Sequence, residues 1–101
     1  MEIHIQHKEM DASGEGRWFV KDETSGETLA KLVYHAAGEG AISLDSTVVS
    51  DVLRGRNVGK LLVNAAADYA RAKGLKLVPV CPFVVALFEK VPQDYADVQA
   101  S

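Results

Sequence analysis

The residues with the most chemical potential lie in one short run, Val52 to Lys60, V-L-R-G-R-N-V-G-K, and at one later cysteine, Cys81. The run carries Arg54, Arg56 and Lys60, with Gly55 and Gly59 between them, and no acid lies between Asp51 and Asp68. A helix start leaves four backbone N–H groups unpaired and carries a partial positive charge, so added cations there repel the helix end and one another. A pile-up of like charge at that place makes sense if an anion such as a phosphate sits among them, with the glycines letting the backbone approach it. A solvated basic turn with a glycine-assisted helix start accounts equally for the run taken alone. The spacing is neither G-x-x-x-x-G-K-[ST] nor G-x-G-x-x-G, which excludes a Walker loop and a dinucleotide fingerprint. Cys81 precedes Pro82, a residue suited to the first helical position. A thiol at a helix N-terminus is tuned toward thiolate and could act as a nucleophile, although a lone cysteine at a strand end is also a common inert core residue.

The elements that must position these groups follow from periodicity. Ile3 and Ile5 alternate with Glu2, His4 and Gln6 and read as a short strand. A polar turn over Asp11 to Gly16 leads to a strand from Arg17 to Lys21, with Trp18 and Val20 on one face and Phe19 on the other. The turn Asp22 to Glu27, with Gly26 at positive φ, returns the chain as a strand from Leu29 to His35. Ala41 to Val49 forms a fourth strand, ending in the β-branched Thr47, Val48 and Val49. The period then changes: Val58, Leu61, Leu62, Ala65, Ala66, Tyr69 and Ala70 form one apolar stripe of a helix that Gly74 closes. Leu75 to Val80 reads as a fifth strand and Pro82 to Phe88 or Lys90 as a short helix. The tail from Pro92 onward is polar and expected to wrap the surface or fray. The fold class is therefore α+β: a meander of about four strands, a helix, a fifth strand and a short helix, with a βαβ crossover from Val49 to Val80.

Composition sets the limits. The 101 residues suit one domain, spanning 1–101, and the 48% hydrophobic and 25% charged content is that of a globular chain. A net charge of −3 gives no global pull toward nucleic acid or anionic membrane, and three cations in a nine-residue run make a small footprint. One cysteine excludes an internal disulfide framework and a multi-cysteine zinc site, so no metal is expected and a reducing cytoplasm fits. The N-terminus lacks an apolar signal core, and no apolar run reaches the roughly 20 residues that span a bilayer.

L-R-G-R-N-V-G-K-L-L resembles the R/Q-x-x-G-x-G/A motif of the GNAT (GCN5-related) acetyltransferase superfamily. The downstream L-K-L-V-P-V-C-P-F-V and Y-A-D-V resemble its minimal one-domain branch. The resemblance implies a GNAT-like fold with a splayed fifth strand, acetyl-CoA as cofactor, and transfer of acetyl to an amine on a small molecule or peptide. It places coenzyme A pyrophosphate on the loop Arg54, Gly55, Arg56, Asn57, Val58, Gly59 and Lys60, with Arg54 at the leading position and Gly59 at the closing one. It sets pantetheine beside Thr47, Val48 and Val49, with Cys81 facing the thioester as acetyl carrier or pocket wall. Asn57 stands where the motif has its middle glycine; asparagine tolerates unusual φ and could also cap the helix. Pro79, awkward within an apolar strand, suits the splayed strand. Histidines common in this branch are replaced by Ser46 and Val91, which leaves Asp45 as a substitute base and leaves open a non-catalytic acyl-CoA-binding or protein-interaction module. His4, His7 and His35 all fall in the N-terminal strands and read as surface residues, with His35 ending its strand near the cleft. Trp18 and Phe19 on opposite faces allow an apolar patch, so a monomer or weak homodimer is expected.

Overall fold

The computed structural model describes residues 2–100. Five strands form one sheet in the order β1-β2-β3-β4-β5: β1 Gln6–Lys8, β2 Glu15–Lys21, β3 Thr28–Ala36, β4 Ala41–Val49 and β5 Lys76–Pro79. Neighbours are antiparallel except β4 and β5, which run parallel on either side of helix α1, Val58–Lys73. Parallel partners need a crossover, and α1 supplies it. Two further helices follow, α2 Pro82–Lys90 and α3 Pro92–Tyr95. The α+β meander read from the sequence is thus observed, and Gly74 closes α1 at φ 69° with its N–H bonded to Ala70.

The first strand lies later than the Ile3–Ile5 alternation indicates. Stacking of His7 on Trp18, ring centroids 4.4 Å apart, accompanies the register His7↔Trp18, so β1 begins at Gln6. Residues before it lie beyond that ladder, and Ile3 and Ile5 pack partly buried against the core instead. His7 is correspondingly no surface residue: its Nε2 lies 2.6 Å from the hydroxyl of the fully buried Tyr34. Burial holds His7 below the usual histidine range, with the charge of Glu9 opposing. Protonation therefore favours the unfolded chain. The stability present above about pH 6.5 is lost as the pH falls through the lowered folded value. Urea midpoints measured across that range are expected to drop on acidification in the wild type and to drop less in His7→Phe, which keeps the stack.

The buried stripe of α1 differs from the expected one. Val58, Gly59, Leu62, Val63, Ala66, Ala67 and Ala70 are buried, whereas Leu61 is 38% exposed. Two neighbours cause the rotation. The sheet takes one flank of the helix, and α2 with α3 takes the other, where the Phe83 ring lies against Gly59 and Tyr95 donates to Asn64 Oδ1 at 2.6 Å. The chain after Pro92 therefore does not fray. Tyr95 and Val98 are buried, Tyr95 stacks on Phe88 at 4.7 Å, and Leu77 N–H donates to Val98 O at 2.6 Å along the outer edge of β5.

The core joins the sheet face of Trp18, Val20, Ala30, Leu32, Tyr34, Ile42 and Leu44 to all three helices and Val98. Phe19 points to the opposite face and stays outside this core, yet it is no apolar patch. The Arg17 guanidinium and the Lys21 ammonium lie 5.2 and 5.7 Å from its ring centroid and shield it from water.

Candidate functional site

Strands β4 and β5 pair from Ala41↔Lys76 to Leu44↔Pro79 and then part. Pro79 ends the pairing because it has no N–H, and the next two residues turn away with both N–H groups on Leu44 O, Val80 at 3.3 Å and Cys81 at 2.9 Å. Beyond that fork β4 pairs only with β3, so its second edge from Asp45 to Val49 is open. The fork coincides with a bulge: Val33 faces Ser46 while Tyr34 faces Leu44, leaving Asp45 as the extra residue. Bulges kink a strand and re-aim side chains.

From β4 a short 3-10 turn, Asp51–Leu53, capped by Ser50 Oγ, leads into the glycine loop. Gly55 at φ 81° and Asn57 at φ 59° are both left-handed, and Asn57 is the one non-glycine residue at positive φ among the described residues. Two left-handed kinks in three residues reverse the chain and bring it into α1, whose first-turn N–H groups then lack intrahelical acceptors. Asn57 thus tolerates the turn as its residue type indicated, but its side chain makes no capping hydrogen bond.

The loop and the open edge enclose a cleft of about 370 Å³ lined by Thr47, Val49, Leu53, Arg54, Gly55, Asn57, Val58, Gly59, Lys60 and Phe83. Most of the loop and strand residues singled out in the sequence meet here. Val48 does not line it: paired with Lys31, it projects 52% exposed from the other face of the sheet. Arg56 is exposed and also lies outside the lining. The charge is less one-sided than the sequence implies, since Arg54 Nη2 reaches Asp51 at 2.6 Å and Lys60 Nζ lies 4.0 Å from Asp94 on α3. Leu53 and Phe83 are additional walls. Phe83 is 43% exposed beside Gly59, and a solvent-facing phenylalanine leaves no signature in the sequence.

Cys81 is the N-cap of α2 and is buried, with its Sγ 3.4 Å from Thr47 Oγ1 across the fork. Burial alone would push the thiol up. The Thr47 hydroxyl and the backbone N–H groups of Val84, Phe83 and Thr47 outweigh it and hold the thiol below its ordinary range. None of the α2 N–H groups is aligned well enough for a full capping bond, so the stabilisation is that of a helix end on an anion. Alkylation by iodoacetamide is expected to follow a thiolate titration with its midpoint below that of an unperturbed cysteine. Thr47→Val should move that midpoint upward.

His35 and Asp45 occupy the opposite face of the sheet. Asp45, in the bulge, accepts from His35 Nδ1, and His35 Nε2 lies 3.5 Å from Glu15 Oε2. The carboxylates hold His35 above the usual histidine range, the hydrogen bond to Asp45 being the largest cause and partial burial opposing it. His35 is therefore a partnered residue. Its partner was out of reach in the sequence because the bulge that turns Asp45 toward it is a tertiary feature. Val91, half-buried, packs against the core beside α2.

The fold as a whole is shared with known proteins. The GCN5-related N-acetyl-transferase sequence profile matches residues 17–98. A GCN5-like protein of Staphylococcus aureus, solved in solution, superposes with a TM-score of 0.75 at 30% identity, covering 98% of this chain and 89% of its own. The chain belongs to the GCN5-related N-acetyltransferase family. The ribosomal-protein-alanine N-acetyltransferase of Brucella melitensis shares the fold at 19% identity, TM-score 0.65, over 90% of this chain and 67% of its own. The IAA acetyltransferase of Bacillus cereus shares it at 15% identity, TM-score 0.60, over 75% and 63%. Among curated proteins none matches. Family and fold together support acyl transfer as the chain's activity, and acetyl-CoA is the donor typical of the family. No helix of the described residues is long and apolar enough to cross a membrane, and no group of three or more His, Cys, Asp or Glu among them could hold a metal ion.

Proposed function

We propose that residues 1–101 form one acetyl-CoA-dependent N-acyltransferase domain that transfers acetyl to an amine on a small molecule or peptide. The observation that carries the reading is the cleft itself, with a helix start bearing unpaired N–H groups along it; the buried Cys81 thiol lies outside the lining and meets it through Thr47, 3.4 Å away. These residues fit coenzyme A by chemistry. The first turn of α1, with Gly55, Asn57 and Lys60, offers donors and positive charge to a pyrophosphate. The open edge of β4 at Thr47 to Val49 offers strand-type hydrogen bonds to the amides of pantetheine. Val48 contributes there through its backbone, as its side chain faces away. Acetyl-CoA supplies an activated acetyl thioester. Cys81, polarised by Thr47, is placed to receive the acetyl group or to wall its pocket. The acidic balance argues against a nucleic-acid partner, the covered Phe19 favours a monomer over a tight dimer, and the single cysteine fits a reducing cytoplasm.

A thermal-shift titration with acetyl-CoA, CoA and ATP tests the cofactor reading. Stabilisation by both CoA species, about 2.7 kcal/mol at one hundred times Kd, is expected. No shift from either at millimolar concentration removes the reading. Incubation with acetyl-CoA followed by intact-mass analysis tests Cys81: a one-acetyl increase that Cys81→Ala abolishes is the expected result. Ser46 and Val91, standing where relatives often have histidine, favour a second reading, an acyl-CoA-binding module without turnover. Tight CoA binding with no product across a broad amine and peptide panel would support it.

A further inference from the structure

We propose that the sheet face opposite α1 carries a second anion site, built by Arg17, Thr28, Lys31 and Ser50, which binds the dianionic phosphate of a phosphomonoester. It is separate from the cofactor cleft and does not depend on the acyltransferase reading. The three helices share one core with the inner face of the sheet. On its other face the sheet holds a recess of about 230 Å³ lined by these four polar side chains, with Val48 and Leu29 as apolar wall. Every polar side chain of that lining can donate a hydrogen bond, and none is a carboxylate. Guanidinium and ammonium groups donate only and never accept. Among the described residues neither Arg17 nor Lys31 is ion-paired, and neither hydroxyl donates to a protein acceptor. Ser50 Oγ accepts from Val52 N–H at 3.4 Å, which leaves its own hydrogen to donate.

The register gathers more positive charge around the recess. Lys31 pairs with Phe19, and Arg17 pairs with Val33 on one side and Lys8 on the other, so Arg17 and Lys31 are diagonal neighbours. The Lys21 ammonium, 5.7 Å from the Phe19 ring centroid, joins the same patch. Lys8, Arg17, Lys21 and Lys31 thus crowd one face of a chain whose net charge is −3. Like charges directly opposite across two strands, as at Lys8↔Arg17, destabilise a sheet. The acids Glu15 and Asp45 on that face are engaged by His35, so a bound anion supplies the missing counter-charge. A phosphomonoester brings about two negative charges and three acceptor oxygens at pH 7, against one charge and two oxygens for a carboxylate. Two cations and two hydroxyls match the phosphate, and a guanidinium takes two of its oxygens side by side. At about 30 Å³ per water-sized group, the recess also leaves room for a short organic group against the exposed Val48. Recess and cleft back on each other across β4: Val48 walls one, Thr47 and Val49 wall the other, and no side chain lines both.

The same phosphate is offered by a free phosphorylated metabolite and by a phosphoserine side chain. Backbone-amide NMR titrations at low ionic strength with glycerol 3-phosphate, and separately with a short phosphoserine peptide, test the site and separate these sources. Saturable shifts at Lys31, Val48 and Ser50 are expected, and the tighter of the two compounds identifies the source. Arg17→Gln and Lys31→Gln should each weaken binding about tenfold or more, the loss of one hydrogen bond to a charged group, while Lys31→Arg retains it. Acetyl-CoA should shift Gly55 and Gly59 to the same extent in wild type and in both Gln variants. Phosphomonoester shifts confined to Gly55 and Gly59, or no shift at millimolar concentration, would overturn the proposal. So would Gln variants that bind as wild type does, or acetate and dimethyl phosphate binding as tightly as the phosphomonoesters. If Arg17→Gln, whose stem covers Phe19, does not fold, Lys31→Gln measured against Lys31→Arg decides.

Discussion

Gly16→Ala should cost this protein about 3 kcal/mol, the upper part of the range for overpacking a filled core. A Cβ at Gly16 falls 2.5 Å from Tyr34 Cζ, 2.6 Å from Oη and 2.7 Å from Cε1, distances no carbon pair sustains. Neither side can yield cheaply. The Tyr34 ring is fully buried, stacks on Trp18 with centroids 4.4 Å apart, and has its hydroxyl 2.6 Å from His7 Nε2. Gly16 belongs to β2 in register with Tyr34 itself, so moving its backbone breaks the ladder to β3. Burial first, and then Tyr69, push the Tyr34 hydroxyl up to about 12, so it stays protonated and able to donate throughout. For a chain of this size the melting temperature should fall on the order of 10–20 °C. Thermal denaturation followed by circular dichroism checks this. A second-site Tyr34→Leu should restore part of the loss in the Gly16→Ala background, because it removes the clashing ring. A single variant melting within a degree or two of wild type would show that the ring has somewhere else to go.

The second large effect concerns the loop. The double variant Gly55→Val, Asn57→Val should weaken acetyl-CoA binding roughly a hundredfold while leaving the secondary structure intact. Both positions are left-handed, at φ 81° and 59°, and a side chain there costs about 1–2 kcal/mol per residue, with β-branched types worst. Two such penalties sum to about 2–4 kcal/mol, and each 1.4 kcal/mol is tenfold in Kd. Both positions are exposed, so the loop can relieve this strain by unwinding into solvent. The cost then falls on the arrangement of N–H groups around the anion more than on the fold. Calorimetric titration against acetyl-CoA measures it. Asn57→Gly, which restores the residue type of the family motif, should bind within a few-fold of wild type. Arg54→Ala should also be mild, since that guanidinium is spent on Asp51 at 2.6 Å in an exposed pair. A double variant of undiminished affinity would dissociate the loop conformation from cofactor binding.

These expectations separate what was legible along the chain from what was not. Local signals held where a single residue type dictates backbone conformation. Gly74 closes α1, Pro82 opens α2, Gly26 turns the second hairpin, and β4 spans Ala41–Val49 as its β-branched end indicates. They held less well where a partner decides. The start of β1 follows the Trp18 stack, and the stripe of α1 follows the two helices that flank it. The tail looked polar because Tyr95 and Val98 are its only large apolar side chains, and two well-placed side chains suffice to anchor it.

The candidate site divides in the same way. Sequence alone determined the strand–loop–helix at Arg54 to Lys60 and the cysteine before Pro82, because glycine, asparagine and proline act on their own dihedral angles, whatever surrounds them. Only the tertiary structure decided what those groups face. The parting of β4 from β5 at Pro79 brings Thr47 to Cys81, thirty-four positions away. Two sheet faces send Val48 away from the cleft. One inserted residue in a strand aims Asp45 at His35. Each of these is a long-range register, set by the packing of the whole sheet against α1, and no short stretch of sequence contains the energies that choose it.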